Sequence, residues 1–91
     1  GRIIMENQTY TVLAESGIHA RPATVLVQIA SKYASELTVE YKEKKANLKS
    51  ILGVMSLGVG QGGSISIFAE GTDQQEALEA IESFLKSEGI I

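Results

Sequence analysis

The chain contains no cysteine and no tryptophan, and has a single proline and a single histidine among its 91 residues. Without cysteine there is no disulfide framework and no thiolate metal site, which points to a reducing compartment. One histidine among dispersed carboxylates argues against a zinc centre, which needs three or four convergent ligands. Neither a metal nor a cofactor is expected. No apolar run approaches the roughly 20 residues that cross a bilayer, and no stretch has the pattern of a secretory leader. A cytoplasmic protein without membrane insertion is therefore expected. The net charge of −3 weighs against direct nucleic-acid binding.

What is present suffices for one domain: 44% of residues are apolar, and somewhat shorter chains fold unaided. Met5 has the look of a natural start, so residues 1–4 are set aside as a remnant and the domain is expected over 5–91. Charge is uneven. Lys42, Lys44, Lys45 and Lys49 supply half of the eight basic residues. Glu70, Asp73, Glu76, Glu79, Glu82 and Glu88 load the C-terminal end, answered there only by Lys86. A basic middle and an acidic end fit docking to a complementary partner, although simple solubilising charge explains them equally well.

Alternation in "QTYTVLA" (8–14) reads as a strand. From Ala20 to Tyr33 the apolar positions Ala23, Leu26, Val27, Ala30 and Ala34 recur at helical spacing, and Pro22 fits a first turn. The β-branched Val25, Val27 and Ile29 argue for a strand instead, but the length and the proline favour a helix. "ELTVEYK" (36–42) is a strand with Leu37, Val39 and Tyr41 inward. "KKANLK" (44–49) pairs back on it, through a connection whose lack of Gly, Asn or Asp does not signal a tight primed turn. Ser50 precedes "ILGVMSLG", a short helix ending at Gly58, and "SISIFAE" (64–70) is a further strand. Thr72-Asp73-Gln74-Gln75 matches a capping box, and Ala77 or Leu78, Ile81 and Leu85 give the last helix its buried stripe up to Gly89. The order β-α-β-β-α-β-α predicts an α+β fold, one antiparallel sheet with helices on one face.

The only histidine lies in "GIHARPAT" (17–24), where loop becomes helix. Helix N-termini present unpaired N–H groups and a partial positive charge. Here the donors are the amides of Ala20 and Arg21, because Pro22 has none. That field opposes the imidazolium and favours the nucleophilic neutral ring. Arg21 can reach a phosphate with an always-charged fork. A histidine that takes up a phosphoryl group and gives it away would use all three features. A surface histidine with no task is the alternative, and no second base or nucleophile–base pair accompanies it.

Ser50 reads first as an N-cap; its functional reading is phosphorylation, adding about −1.5 to −2 charges at a helix start. Ile51, Leu52, Val54, Met55 and Leu57 crowd nearly every side of the helix it caps, more than one small sheet can bury. Some should be exposed beside the basic residues as a docking patch, the alternative being a helix pressed wholly into the core. "GVGQGG" (58–63) matches a dinucleotide-binding glycine pattern, but follows a helix and precedes a strand, the reverse of that context. It is read as a connector.

Taken together, "GIHARPAT", "NLKSILGVMSLG" and "ALEAIESFLKSEG" resemble the HPr family, the histidine-containing phosphocarriers of the bacterial sugar phosphotransferase system, in its Gram-positive form. The resemblance runs in order from Tyr10 to Gly89. It implies an open-faced β-sandwich, a four-stranded antiparallel sheet covered on one face by three helices. It implies that His19 is phosphorylated at Nδ1 by enzyme I, itself charged by phosphoenolpyruvate, and passes the group to IIA domains of sugar permeases. Arg21 matches the residue that steadies the phosphoryl group, the Ala20 amide belongs to the helix-end site, and Ser16 matches a nearby polar position. Ser50 matches the serine phosphorylated by an ATP-dependent HPr kinase/phosphorylase, a form that binds the catabolite control transcription factor in carbon catabolite repression. Ile51, Leu52, Met55, Lys49 and Arg21 fall on the family's partner surface. The expected molecule is a monomeric carrier, not a stand-alone enzyme.

Two departures stand out. Lys42-Glu43-Lys44 replaces the Asn-Gly common in the hairpin, and Leu52 replaces a common methionine, a volume-conserving change. The runner-up function is a purely regulatory protein, a transcription co-regulator acting through phospho-Ser50. A related regulatory paralogue lacks the histidine, so His19 with Arg21 counts against that role standing alone. A small-ligand-binding domain would need an apolar pocket that this chain scarcely has residues to enclose.

Overall fold

A computed structural model describes residues 5–91; the expectation for residues 1–4 lies outside the described residues. The elements are β1 (Glu6–Thr11), α1 (Ala20–Ala30), β2 (Glu36–Tyr41), β3 (Lys44–Asn47), α2 (Ile51–Ser56), β4 (Ser64–Glu70) and α3 (Gln74–Ser87). The strands form one sheet in the order β1-β4-β2-β3, and every neighbouring pair is antiparallel. This is the α+β open-faced sandwich with the element order read from the sequence.

Period-two alternation decides which face is covered. Leu37, Val39 and Tyr41 of β2 and Ile65, Ile67 and Ala69 of β4 are buried, while Thr38, Glu40, Ser66 and Phe68 between them are only partly covered. The helices meet the buried face with matching stripes: Ala23, Leu26, Val27 and Ala30 from α1, and Ala77, Leu78, Ile81 and Leu85 from α3. Leu26, Ile65, Ile67, Ile81 and Leu85 are almost wholly enclosed. At about 25 cal/mol per Å² of apolar surface, a fully buried side chain of this kind stabilises by roughly 1.5–3 kcal/mol.

Several expected details are corrected. β1 starts two residues earlier and ends at Thr11, not Ala14. Beyond it the Leu13 and Ala14 amides turn to the Ile90 carbonyl, at 2.6 and 3.3 Å. α1 stops at Ala30: the Ser31 amide still bonds Val27 four residues back, but the Lys32 and Tyr33 amides bond only three back, to Ile29 and Ala30. That tightening takes Ala34 off the helical stripe, so Ala34 is exposed and Ser35 is buried instead.

The capping box before α3 is also corrected. The N-cap is Asp73, not Thr72, and its side chain makes no cap bond. The carboxylate reaches across to the α1–β2 loop, accepting the Ala34 and Ser35 amides at 2.9 and 3.0 Å and the Ser35 hydroxyl. The Ser35 bond is the main cause that lowers the Asp73 pKa from its ordinary value.

The β2–β3 connection is a tight two-residue turn, which the sequence did not signal. Tyr41 pairs with Lys44, and the two residues between, Lys42 and Glu43, both have positive φ, 49° and 66°. Paired positive φ values are the mark of a type I′ turn. Here the right-handed twist of the flanking strands imposes it on residues that rarely adopt it.

Candidate functional site

The loop from Val12 to His19 is held by contacts from distant segments. The Val12 amide donates to the Gly63 carbonyl and the Gly62 amide to the Val12 carbonyl, both at 2.8 Å. Gly17 has a φ of +62° and sits against the Val59 carbonyl, where a Cβ would collide with it. Only glycine meets both demands. The Ile18 amide then donates to the Val59 carbonyl at 3.1 Å. The "GVGQGG" stretch is thus a connector, as read, and also a strut under the histidine loop.

His19 is the N-cap of α1, with extended backbone (φ −94°, ψ −171°) and no side-chain cap bond. Its carbonyl accepts the Ala23 amide at 3.0 Å, the first turn of the helix. The imidazole is exposed and unused by the helix. Ala20 and Arg21 occupy the first two helical positions, where amides have no intrahelical acceptor. Both are exposed, and buried Pro22 closes the turn without an N–H of its own. A depression of about 140 Å³ at this point is lined by Ser16, Gly17, His19, Arg21, Pro22 and Ile90, and by Glu88 from the end of α3.

Glu88 is the residue that reading the sequence missed as part of this site. Its Oε1 accepts from Arg21 Nη2 at 3.4 Å, between side chains 39% and 80% exposed. In the sequence it groups with the acidic C-terminal end. The available signal was its place just past the helix, where a carboxylate faces the unfavourable end of the dipole.

Ser50 stands at the start of α2, which packs against α1. Its hydroxyl accepts the Gly53 amide at 3.1 Å, so the N-cap reading holds. The helix behind it divides as expected. Val54 and Leu57 are buried, whereas Ile51, Leu52 and Met55 are 40%, 84% and 42% exposed. Of the basic residues expected nearby, Lys49 is engaged: its Nζ donates to the Tyr33 carbonyl at 2.7 Å. Lys42 and Lys45 lie over the rings of Tyr41 and Phe68 at 5.2 and 5.7 Å. Among the described residues, no group of three or more His, Asp or Glu side chains gathers to hold a metal. Nor is any helix among them long and apolar enough to cross a membrane.

Fold and site define a class: small open-faced α+β proteins that display a lone histidine at a helix start, beside an arginine. A family model described as the PTS HPr component phosphorylation site matches residues 6–87. The histidine-containing phosphocarrier protein of a mycoplasma is 37% identical, covers 94% of this chain and 98% of its own, and superposes with a TM-score of 0.92. An HPr from Thermoanaerobacter tengcongensis is 44% identical over 92% of this chain and 94% of its own, at a TM-score of 0.87. Crh, the catabolite-repression protein of Bacillus subtilis, solved as a domain-swapped dimer, is 39% identical over 92% and 95%, at 0.72. The chain belongs to the HPr family, the phosphocarriers of the phosphotransferase system.

Proposed function

We propose that His19 accepts a phosphoryl group at Nδ1 from phospho-enzyme I and passes it to IIA domains of sugar permeases. The Nδ1 lone pair attacks phosphorus while the bond from phosphorus to enzyme I breaks. Onward transfer forms a bond to the IIA acceptor and returns the free imidazole. The observation that carries this function is the exposed imidazole at the N-cap of α1, unused by the cap, with two orphan amides and the Arg21 guanidinium around it. Amides and guanidinium stabilise the charge on the phosphoryl oxygens during transfer. Ser16, on the rim of the same depression, is a further hydroxyl within that surround.

A regulatory role accompanies this one. Ser50 is the acceptor for the ATP-dependent HPr kinase/phosphorylase, and its phosphorylated form binds the catabolite control transcription factor. Two observations favour it: Ser50 caps a helix whose Ile51, Leu52 and Met55 stay exposed, and the chain is similar to Crh. Ile51, Leu52, Met55, Arg21 and Lys49 form the face that partners engage. The protein works in the cytoplasm as a monomeric single domain over residues 5–91.

The test is phosphoryl uptake from phosphoenolpyruvate and enzyme I. The expected product is an acid-labile, alkali-stable adduct that His19→Ala abolishes while the fold persists. Retained uptake in that variant refutes the site. No uptake by folded wild-type protein, while kinase and ATP still label Ser50, moves the function to regulation alone. A phosphoserine that survives in Ser50→Ala refutes the assignment of Ser50.

A further inference from the structure

The start of α1 and the end of α3 leave a groove between them, distinct from the His19 depression but sharing Arg21, Pro22 and Glu88 with it. Its volume is about 240 Å³, and Val25 and Phe84 complete its walls. Both lie off the buried stripes of their helices, and both are only half-buried. The two charged residues sit together, with Arg21 Nη2 on Glu88 Oε1 at 3.4 Å. The lining therefore divides into an apolar part and a part that carries one charge of each sign. An apolar cavity of about 150 Å³ holds a benzene ring, so this groove has room for one ring or one branched side chain.

We propose that this groove binds a free apolar amino acid as its zwitterion, with the α-carboxylate on Arg21, the α-ammonium on Glu88 and the side chain against Pro22, Val25 and Phe84. An ion pair this long and exposed is weakly held, so a ligand can open it. A zwitterion carries both charges on one α-carbon and leaves neither Arg21 nor Glu88 without an opposite charge. A simple anion would sit on Arg21 beside the like-charged Glu88, and a simple cation on Glu88 beside the like-charged Arg21, each at a cost. The apolar walls then choose among zwitterions, because a side chain that leaves water there gains what glycine cannot. An amino acid so seated holds the guanidinium assigned above to the phosphoryl group, and its binding opposes phosphoryl uptake. That consequence rests on the His19–Arg21 reading; the binding itself does not.

The experiment titrates L-phenylalanine into the protein while the Val25 methyl and Phe84 ring signals are followed by NMR. A saturable shift is expected, with a Kd on the order of millimolar for a ligand of this size. Against the same protein, 3-phenylpropionate, which lacks the ammonium, and phenethylamine, which lacks the carboxylate, should each bind about threefold more weakly. Glycine, which lacks the side chain, should bind at least about tenfold more weakly. Glu88→Gln should weaken phenylalanine about threefold and leave 3-phenylpropionate no weaker, since only the ammonium meets Glu88. Equal affinities for the three aromatic ligands, or a Glu88→Gln loss that is the same with and without the ammonium, overturn recognition of the zwitterion. Groove signals that move with enzyme I but with no amino acid give the groove to a partner protein, and signals that move on dilution alone give it to a second copy; either overturns the proposal. Phosphoryl uptake at His19, measured separately, should fall about twofold at a phenylalanine concentration equal to the Kd. Unchanged uptake with the groove filled overturns the opposition between the two ligands, and protein that takes up no phosphoryl group yet binds phenylalanine refutes the His19 reading alone.

Discussion

The Val59 carbonyl accepts the Ile18 amide at 3.1 Å, which ties the connector after α2 to the residue immediately before His19. The face proposed for docking on α2 and the acceptor proposed at the start of α1 therefore share a support, and Gly17 is its tightest point.

Gly17→Ala tests that support. Alanine pays about 1–2 kcal/mol for the left-handed conformation, and its methyl group meets the Val59 carbonyl. A loss of about 2 kcal/mol or more is expected, roughly 10 °C in Tm for a domain of this size, together with reduced phosphoryl uptake by the fraction still folded. Thermal melting and uptake measured below the transition separate the two effects. Unchanged melting would mean that the loop relaxes without cost.

The β2–β3 turn offers the opposite change. Lys42 and Glu43 hold positive φ without glycine or asparagine, so Lys42→Asn with Glu43→Gly should stabilise by about 1 kcal/mol, roughly 4–8 °C. Differential scanning calorimetry reads the shift. A lower Tm would show that the contact of Lys42 with the Tyr41 ring, at 5.2 Å, outweighs the backbone strain.

Acid stability should depend on Asp73. Its carboxyl is held below the ordinary value, chiefly by the Ser35 hydroxyl and then by the Ala34 amide. A lowered carboxyl pKa contributes stability that is fully present above the unfolded value and is lost as pH falls through the folded one. Asp73→Asn should melt lower than wild type at neutral pH, and the gap should close below about pH 4. Ser35→Ala, which deletes a buried hydroxyl that donates to Asp73, should cost about 1 kcal/mol. Melting curves across the acid range check both; a gap that persists unchanged at low pH would show that geometry, not charge, is what Asn fails to supply.

Stability and docking should separate on α2. Leu52 is 84% exposed, so Leu52→Ser should change stability by no more than about 0.5 kcal/mol. Its loss of affinity for enzyme I should be on the order of tenfold, as for a central contact of an interface. Val54→Ala, on the buried side of the same helix, should instead cost about 1.5–3 kcal/mol and leave the docking face in place. Calorimetric titration beside thermal melting distinguishes them, and unaltered affinity in Leu52→Ser would remove Leu52 from the face.

Much of this was legible locally. Ser50 declared itself by standing one residue before an apolar run, β2 and β4 by strict alternation, and α3 by its 3.6-residue stripe ending at a glycine. Each signal is short-range, a matter of propensity and period within a dozen residues. "GIHARPAT" was as clear, since a loop glycine, a titrating ring, an arginine and a first-turn proline are read directly from neighbours in the chain.

The errors have one cause. Asp73 looks like part of a capping box until Ala34 and Ser35, nearly forty residues earlier, arrive beside it with unpaired amides. Lys42 and Glu43 look wrong for a tight turn until the twist of β2 and β3 demands one. Local preference is worth about a kilocalorie, and tertiary contacts routinely exceed it.

By itself the sequence determined the element order, the buried stripes, the capped start of α2 and the residues that surround His19 in the chain. Only the tertiary structure decided that Glu88 faces Arg21 across 67 residues, that Val59 supports Ile18, and that Leu52 faces outward while Val54 faces in. Those pairings exist because β1, β4 and β2 close side by side and α1 and α3 must cover the same face of the sheet. The end of one helix is thereby brought against the beginning of the other, a meeting that no spacing along the chain encodes.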